Sequence, residues 1–193
     1  MLPEQLLQHI AAGDQAAFRQ FYELFKGRVY NTSLSYLQDQ SEAEEVTQDV
    51  FVEVYHNAKN FQARSSASTW IYRITINKSL DRLRHKNRKK RFAFISSLFN
   101  QQGSLQHDAP DFIHPGVLIE QRENAVFLFK AMKELPENQH TAFLLKHIEG
   151  LSQKEIAQIM NITEKAVESL LSRAKYNLRK LLNDFFTHTE GLN

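Results

Sequence analysis

Apolar residues recur at helical spacing in three runs within the first half of the chain. The first run follows Asp14, the second covers about residues 42–58, and the third covers about residues 69–85. Apolar side chains three or four positions apart share one side of an α-helix, so each run predicts an amphipathic helix with one buried face. Three such helices can close a small domain. The predicted inward-facing residues are Phe18, Phe21, Tyr22, Phe25 and Val29 in the first helix, Val46, Val50, Phe51, Val54 and Tyr55 in the second, and Trp70, Ile71, Ile74 and Leu83 in the third.

The helical pattern is lost between about residues 92 and 116. This stretch includes NQQGSLQHDAPDFIHPG, whose Gly, Pro, Ser and Asp residues favour exposed loop backbone. The pattern resumes at Val117 and pauses at Leu135-Pro136, where proline suits the first turn of a new helix. We therefore predict an all-α protein of two small helical domains joined by a flexible linker. The predicted boundaries are 1–92 for the first domain, 93–116 for the linker and 117–193 for the second domain.

The segment GLSQKEIAQIMNITEKAVESLLSRAK predicts two short helices joined by a tight turn. Ser152 and Glu155 match a capping box, in which a hydroxyl and a carboxylate bond the free amides at a helix start. Asn161 tolerates the left-handed backbone that the corner of a helix-turn-helix needs. Thr163 can cap the second helix. Gly150 can end the preceding helix, Ala157 is small where the helices cross, and the apolar positions between them are Ile156, Met160, Ile162, Val167 and Leu170.

A helix-turn-helix of this kind predicts DNA binding through its second helix, because a major groove admits one α-helix. The residues that this helix would expose combine groups that read base edges with groups that hold phosphates. The alternative is an ordinary pair of helices whose charged face is only solvated. The candidate DNA-reading residues are Lys165, Glu168, Ser169, Ser172, Arg173 and Lys175.

The formal net charge of +2 hides a strong segregation of charge along the chain. Residues 61–91 hold ten Lys or Arg side chains and a single acidic one, Asp81. Basic side chains bind phosphates, and aromatic or amide side chains beside them can hold unpaired bases, so this block predicts a site for DNA that is being opened. The alternative is that Trp70 and Tyr72 belong to the core and that the run RHKNRKKR is a solvated helix end.

The second predicted helix carries acidic residues and neither Lys nor Arg. Carboxylates near its start favour the helix dipole, so a role in stability is the simplest interpretation. A face this acidic would also repel DNA and attract a basic protein surface. Both interpretations leave these residues without a catalytic role. The acidic residues are Glu42, Glu44, Glu45, Asp49 and Glu53.

Composition narrows the class of protein further. Six Gly and four Pro among 193 residues are too few for the many turns of an all-β sandwich. The chain has no Cys, and its eight His show no metal-binding spacing, so we expect no disulfide, no thiol nucleophile and no metal site. Without an apolar run of about 18–20 residues or a signal-peptide pattern, the sequence predicts a cytoplasmic protein.

Two motifs then resemble a known family. SEAEEVTQDVFVEVYHNAKNF followed by STWIYRITINKSLDRLR resembles region 2 of sigma-70 family factors of the short extracytoplasmic-function (ECF) group. ELPENQHTAFLLKHIEGLSQKEIAQIMNITEKAVESLLSRAKYNLRKLL resembles region 4 of the same family. The resemblance implies a region 2-like domain of three or four helices and a region 4-like helix-turn-helix domain. It also implies a non-catalytic protein that needs no cofactor and no small-molecule substrate and gives RNA polymerase its promoter specificity.

The resemblance implies three contact surfaces. The acidic helix would dock on the clamp helices of the polymerase β′ subunit, through Glu45, Gln48, Asp49, Phe51 and Val52. The third helix and the loop before it would capture and melt the −10 promoter element, through Arg64, Ser68, Trp70, Arg73, Asn77, Lys78, Arg82 and Arg84. The helix with Lys165, Glu168, Ser169, Ser172, Arg173 and Lys175 would read the −35 element, with the β flap as a further partner of this domain. Many members are also held inactive by an anti-sigma factor, often membrane-bound.

Two residues depart from the family pattern. Glu168 stands where many relatives present a basic or neutral residue, so it either selects the N4 amino group of cytosine or turns aside and orients Arg173. Asn161 replaces a frequent glycine at the corner, at little cost because asparagine also visits the left-handed conformation.

Three other classes of protein share some of these features. A two-domain regulator that binds duplex DNA without polymerase would have no use for an acidic helix beside a basic, aromatic segment. A small nuclease would need a metal cluster or an activated nucleophile. A helical adaptor that binds only proteins would not need the basic block.

Overall fold

The computed structural model describes the backbone of residues 1–63, 65–99 and 122–190, and the side chains of 1–63, 65–89 and 127–183. Every regular element in these ranges is helical. The elements are α1 (Pro3–Ala11), α2 (Gln15–Leu37), α3 (Gln40–Asn57), a 3₁₀ turn (Ala58–Asn60), α4 (Ala67–Phe99), α5 (Arg122–Lys133), α6 (Glu137–His147), α7 (Gln153–Met160) and α8 (Glu164–Glu190). The predicted all-α class is confirmed.

Helices α1 to α4 pack into the first domain. Aspartates set the starts of two of them: an Asp14 carboxylate oxygen accepts from the amides of Ala16 and Ala17 at 2.8 and 3.0 Å, and Asp39 accepts from Glu42 at 3.1 Å. These bonds satisfy backbone donors that have no partner inside the helix. The core that the helices enclose is made of the predicted apolar stripes, with fully or almost fully buried Phe21, Phe25, Val29, Val46, Val50, Phe51, Val54 and Ile71.

Two tyrosines differ from the predicted burial, and a third decides between two alternatives. Tyr22 and Tyr55, predicted to face inward, are 36% and 45% exposed. Tyr72 is 4% exposed, which confirms the alternative that it belongs to the core. Tyrosine carries a hydroxyl that must find water or a partner, so a place on an apolar stripe does not decide whether its ring is covered.

Helices α5 to α8 form the second domain. Its core includes Met132, Leu144, Leu145, Ile156 and Val167, all fully buried. Pro136 stands immediately before α6, which agrees with the predicted break between two helices. Most of the predicted linker, 93–116, lies outside the described residues. The first part of the predicted linker is helical and not a loop, because α4 continues through Phe99. With its 33 residues, α4 is about 50 Å long.

The two domains pack against each other. Helix α4 of the first domain lies along α7 of the second, and the end of α2 meets α5 and α6. This arrangement puts the helix-turn-helix beside the segment predicted to melt DNA.

Candidate nucleic-acid interface

The helix-turn-helix consists of α7, a tight corner and the first part of α8. The Ser152 hydroxyl accepts a hydrogen bond from the amide of Glu155 at 3.3 Å, and the Glu155 carboxylate accepts from the amide of Ser152 at 2.8 Å. The hydrogen bonds from Ser152 hold the pKa of the Glu155 carboxyl below its ordinary value. Both halves of the predicted capping box are therefore confirmed.

Asn161 makes the corner. Its backbone is left-handed, with φ 55° and ψ 47°, and the amide of Ile162 donates to the carbonyl of Ala157 at 3.0 Å. Thr163 then caps α8 by accepting from the amide of Ala166 at 3.2 Å. Upstream, Gly150 has φ 71° and turns the chain between α6 and α7. Each of these local predictions is confirmed.

The first part of α8 presents the residues predicted to read the −35 element. Lys165, Glu168, Ser172, Arg173 and Lys175 are exposed, and Ser169 is half-buried. The Arg173 guanidinium donates to the Ser169 hydroxyl at 2.9 Å, whereas Glu168 makes no ion pair within the described parts of the chain. The side chain that orients Arg173 is therefore Ser169, one turn earlier, which leaves Glu168 free to meet a base edge.

Helix α4 has two polar faces with different partners. One face pairs with the acidic α3: Lys78 lies 3.3 Å from Glu53, and the Arg82 guanidinium binds both Glu42 and Glu45. The hydrogen bond to Glu42 raises the pKa of Arg82 above its ordinary value. Lys78 and Arg82, predicted as DNA contacts, are thus occupied within the first domain.

The other face of α4 carries Trp70, Arg73, Asn77 and Arg84. Trp70 is half-buried and packs on Phe61 with ring centroids 5.5 Å apart, so it is neither wholly in the core nor wholly exposed. Asn77 is exposed in a cleft of about 440 Å³ between α4 and the helix-turn-helix. Ser68 is half-buried near the start of α4, and Arg64 lies outside the described residues.

The exposed part of α3 forms the candidate surface for polymerase. Gln48, Asp49 and Val52 are exposed, and Asp49 makes no ion pair among the described residues. Glu45 is also exposed but is paired with Arg82. Phe51 is 3% exposed, so the prediction that it touches a partner is wrong: its ring supports the surface from below.

Sequence reasoning missed two aromatic residues next to this surface. The Tyr22 ring lies 4.6 Å from that of Phe51, and the Tyr55 ring lies 5.4 Å from that of Phe18. Together with Val52 these tyrosines extend the exposed part of α3 onto α2. Their exposure could have been predicted from the residue type. Tyr, unlike Phe or Leu, carries a hydroxyl that favours the edge of an apolar stripe, where it can reach water.

Two further findings concern the described residues as a whole. They contain no group of three or more His, Cys, Asp or Glu side chains that could hold a metal ion. None of their helices is both long enough and apolar enough to cross a bilayer.

Family models match both domains. The model described as Sigma-70 region 2 matches residues 21–89, which run from α2 into α4, and the model described as Sigma-70, region 4 matches residues 128–178, which run from α5 into α8. The first match contains the whole region 2-like motif, and the second covers the region 4-like motif except its last four residues, 179–182.

Relatives match along most of the chain. The ECF RNA polymerase sigma factor SigW of Bacillus subtilis is 29% identical over 95% of this chain and 98% of its own length. The RNA polymerase sigma-H factor of Pseudomonas aeruginosa is 27% identical over 93% of each chain. The ECF RNA polymerase sigma-E factor of Escherichia coli is 26% identical over 88% of each chain.

Solved structures share the fold. CnrH, solved in complex with the cytosolic domain of CnrY, superposes with a TM-score of 0.66 at 22% identity, over 94% of this chain and 97% of CnrH. The sigma factor RpoE of Bartonella quintana, solved with the anti-sigma factor NepR, gives a TM-score of 0.62 at 22% identity. The alignment covers 86% of this chain and 96% of RpoE. With both regions matched in order and relatives aligned along nearly their whole lengths, the chain belongs to the sigma-70 family of RNA polymerase sigma factors, in its ECF group.

Proposed function

We propose that this sigma factor binds core RNA polymerase through the exposed part of α3, holds the melted −10 element along α4 and reads the −35 element with α8. The observation that carries the proposal is the capped helix-turn-helix, whose second helix exposes a row of polar and basic residues. The same chain carries the region 2 surfaces on α3 and α4.

Base readout at the −35 element would come from Arg173 and Glu168. An arginine in the major groove binds the O6 and N7 acceptors of guanine, and a carboxylate accepts from the N4 amino group of cytosine. Lys165 and Lys175 are exposed on the same helix and suit phosphate contacts, which position the protein without reading sequence. The β flap of the polymerase is the expected protein partner of this domain.

At the −10 element, Asn77 is the candidate for holding an unstacked base. Its amide supplies both donors and an acceptor, and it stands on one face of α4 between Arg73 and Arg84. These two guanidinium groups suit the phosphates on either side of the base, which would replace their present partners in the second domain. Trp70, half-exposed one turn before Arg73, offers a ring on which a neighbouring base can stack.

Docking on polymerase would use Gln48, Asp49 and Val52. Their surface combines a free carboxylate with apolar area from Val52 and Tyr55, which are 55% and 45% exposed. An acidic, partly apolar surface fits a helix pair with basic side chains, as expected for the β′ clamp helices.

The remaining expectations follow from the same role. We expect a cytoplasmic, non-catalytic protein without a cofactor, since it acts by directing the polymerase. The structural neighbour RpoE was solved with an anti-sigma factor, NepR, and an anti-sigma factor is likewise a candidate partner for this chain.

Run-off transcription tests the proposal. Purified core polymerase would transcribe a genomic DNA library with and without the protein, and the transcript starts would be sequenced. We expect new starts that share two upstream elements. A folded protein that binds core polymerase but yields no new starts would contradict the assigned role in initiation, and absence of binding to core would contradict the α3 surface as well.

A further inference from the structure

A carboxylate of α1 reaches the start of α4. Glu4 lies in the first turn of α1, and its Oε1 accepts a hydrogen bond from the backbone amide of Ala67 at 2.9 Å. Ala67 is the first residue of α4 and is fully buried. The bond therefore joins two helices through residues that lie 63 positions apart in the chain.

This bond completes the capping of α4. The first amides of a helix have no partner within it, and a buried amide that finds none costs free energy. Ser66 supplies the local cap, because its hydroxyl accepts from the amide of Thr69 at 3.0 Å. A capping hydroxyl reaches the amides two or three positions on and not the next one, so Ala67 needs an acceptor from elsewhere in the fold. Glu4 provides that acceptor.

The segment leading into α4 has a demanding conformation. Ala63 has φ 53°, a left-handed backbone that alanine rarely adopts and that persists only where the surrounding structure holds it. Helix α1 contacts both the 3₁₀ turn before this segment and α4 after it. The rings of Phe61 and Trp70, one from each end of the segment, lie 5.5 Å apart. The packing of α1 thus fixes both ends, and the Glu4 bond lies at the second of them.

The first turn of α4 carries two of the residues expected at the −10 element. Ser68 and Trp70 are both half-buried, so part of each side chain faces solvent. An indole ring can stack on an unpaired base, and a hydroxyl can donate to or accept from a base edge. Any shift in the first turn of α4 would move both groups. Their position therefore depends on how firmly the start of the helix is held.

Electrostatics alone does not favour a carboxylate at this place. Glu4 forms no ion pair among the described residues, and its charge opposes the approach of phosphates to the turn beside it. A carboxylate in the first turn of α1 also favours the dipole of that helix, but this role needs no contact with α4. The contact with Ala67 indicates a role at α4.

We propose that Glu4 is a positioning residue for the −10 element. By holding the amide of Ala67 it fixes the first turn of α4, and with it Ser68 and Trp70, in the arrangement that discriminates between unpaired bases. This inference rests on the proposed binding of the −10 element along α4. In this role Glu4 acts through the backbone of α4 and not by contact with DNA.

Two conservative variants separate the reach of the Glu4 side chain from its charge. Glu4→Gln keeps an oxygen at the same distance along the side chain and loses the charge, so it retains the bond to Ala67. Glu4→Asp keeps the charge but is shorter by one methylene, so its carboxylate falls short of that amide. Glu4→Ala removes both properties. The matched control is Gln5→Ala, which truncates an exposed side chain of the same length in the same turn, where Gln5 accepts from the amide of Leu2 at 3.0 Å.

The binding assay uses the sigma factor assembled with core polymerase. The probes are a single-stranded −10 oligonucleotide from a promoter found by run-off transcription and the same oligonucleotide with the base replaced that weakens wild-type binding most. We expect Glu4→Gln and Gln5→Ala to match wild type on both. Glu4→Asp and Glu4→Ala should bind the natural oligonucleotide about tenfold more weakly, as a buried amide loses its partner, and the substituted one almost unchanged. Binding of the −35 duplex by the free protein should be unaffected.

A merely structural role predicts different results. If Glu4 serves only the dipole of α1, Glu4→Asp will match wild type and Glu4→Gln will resemble Glu4→Ala. If Glu4 serves only the general stability of the domain, Glu4→Ala will weaken binding to the natural and the substituted oligonucleotide by the same factor. Either result would overturn the proposal.

Hydrogen exchange tests the bond without DNA. In wild type and Glu4→Gln the amide of Ala67 should exchange slowly, and in Glu4→Asp about tenfold faster. The amide of Val50, which lies in the core on α3, should exchange at the same rate in all three proteins and so shows that the domain is folded. Exchange at Ala67 that is as fast in wild type as in Glu4→Asp would contradict the proposal.

The outcomes separate this inference from the proposed function. If the wild-type assembly shows no base preference on the −10 oligonucleotides, the −10 assignment itself is wrong and the inference falls with it. If wild type shows a preference that Glu4→Asp and Glu4→Ala retain, the role of Glu4 is wrong and the −10 assignment stands.

Discussion

Arg82 on α4 forms an ion pair with Glu45 on α3, and the same guanidinium binds Glu42 one turn earlier. This bridge divides the acidic surface of α3 into two parts. One part neutralises the basic helix beside it, which holds α3 and α4 together. The other part, around Gln48, Asp49 and Val52, stays exposed and is the part that can meet another protein.

Asp49→Arg should weaken binding to core polymerase by about tenfold, since it reverses the unpaired carboxylate that lies between Gln48 and Val52 on the exposed surface of α3. The fold should be retained, because a charge change at an exposed helix position usually alters stability by no more than about 0.5 kcal/mol. Fluorescence anisotropy with labelled protein and purified core measures the effect. Glu134→Arg makes the same charge reversal in the second domain and serves as the control. Normal core binding by Asp49→Arg would show that α3 is not the docking surface.

Asn77→Ala should reduce formation of the open promoter complex while leaving core binding and −35 binding intact. The loss expected for removing the partner of a held base is about 1–3 kcal/mol. Permanganate reactivity of unpaired thymines in the −10 region reports the opening. Asn138→Ala makes the same change on the opposite wall of the cleft and should have no such effect.

Arg173→Ala should cost about 1–3 kcal/mol of binding to the −35 duplex and relax base preference there, if its guanidinium reads a guanine. Lys175→Ala should instead weaken binding to all sequences equally and lower the slope of log affinity against log salt by about one. Titrations of a −35 duplex and a scrambled duplex at several salt concentrations separate the two effects. Unchanged affinity in both variants would exclude this part of α8 as the reader.

Asn161→Ala should destabilise the second domain by about 1–2 kcal/mol, because its backbone is left-handed and alanine is strained in that conformation. Asn161→Gly should retain stability near that of wild type, since glycine adopts φ 55° without strain. Thermal unfolding of the two variants measures which of them is more stable. Equal stability of both would mean that the corner is not strained by a β-carbon.

The stability of the protein should fall as the pH drops from about 6.5 towards 4. His140 is buried, its Nε2 has no hydrogen-bond partner among the described residues, and burial lowers its pKa to about 4. Between these pH values the unfolded chain therefore binds a proton that the folded chain does not. This difference lowers the free energy of unfolding by up to about 3 kcal/mol. Urea unfolding at a series of pH values measures this loss. His140→Leu should reduce it, and an unchanged pH profile would contradict the burial of a neutral imidazole.

The helix-turn-helix was predictable because its signals are local. The capping box, the left-handed Asn161 and the cap at Thr163 each depend on residues within a few positions, and all are present. Helix α1 was not predicted, since its nine residues carry too short a pattern, and its burial of Leu6, Leu7 and Ile10 depends on the domain around it.

The partners of the basic residues on α4 could not be predicted from the local sequence pattern. The basic block predicted a DNA-binding surface, but pairing with α3 takes up Lys78 and Arg82, and the second domain takes up Arg73 and Arg84. Such pairing depends on how helices far apart in the chain pack together. Spacing within one helix can indicate which residues share a face, but it does not identify what that face meets.

The polar contact between the two domains also bears on how the chain behaves when it is cut. A covalent connection holds the domains at an effective concentration near millimolar, so hydrogen bonds that are weak between free molecules suffice to keep them together. Separately expressed fragments ending near residue 99 and starting near residue 122 would expose the polar groups of this contact to water, Thr32 and Gln38 on the first fragment and Thr141 and Glu149 on the second. Mixed at micromolar concentrations, such fragments would remain apart. Cleavage between the domains would therefore uncover the face of α4 that lies against α7.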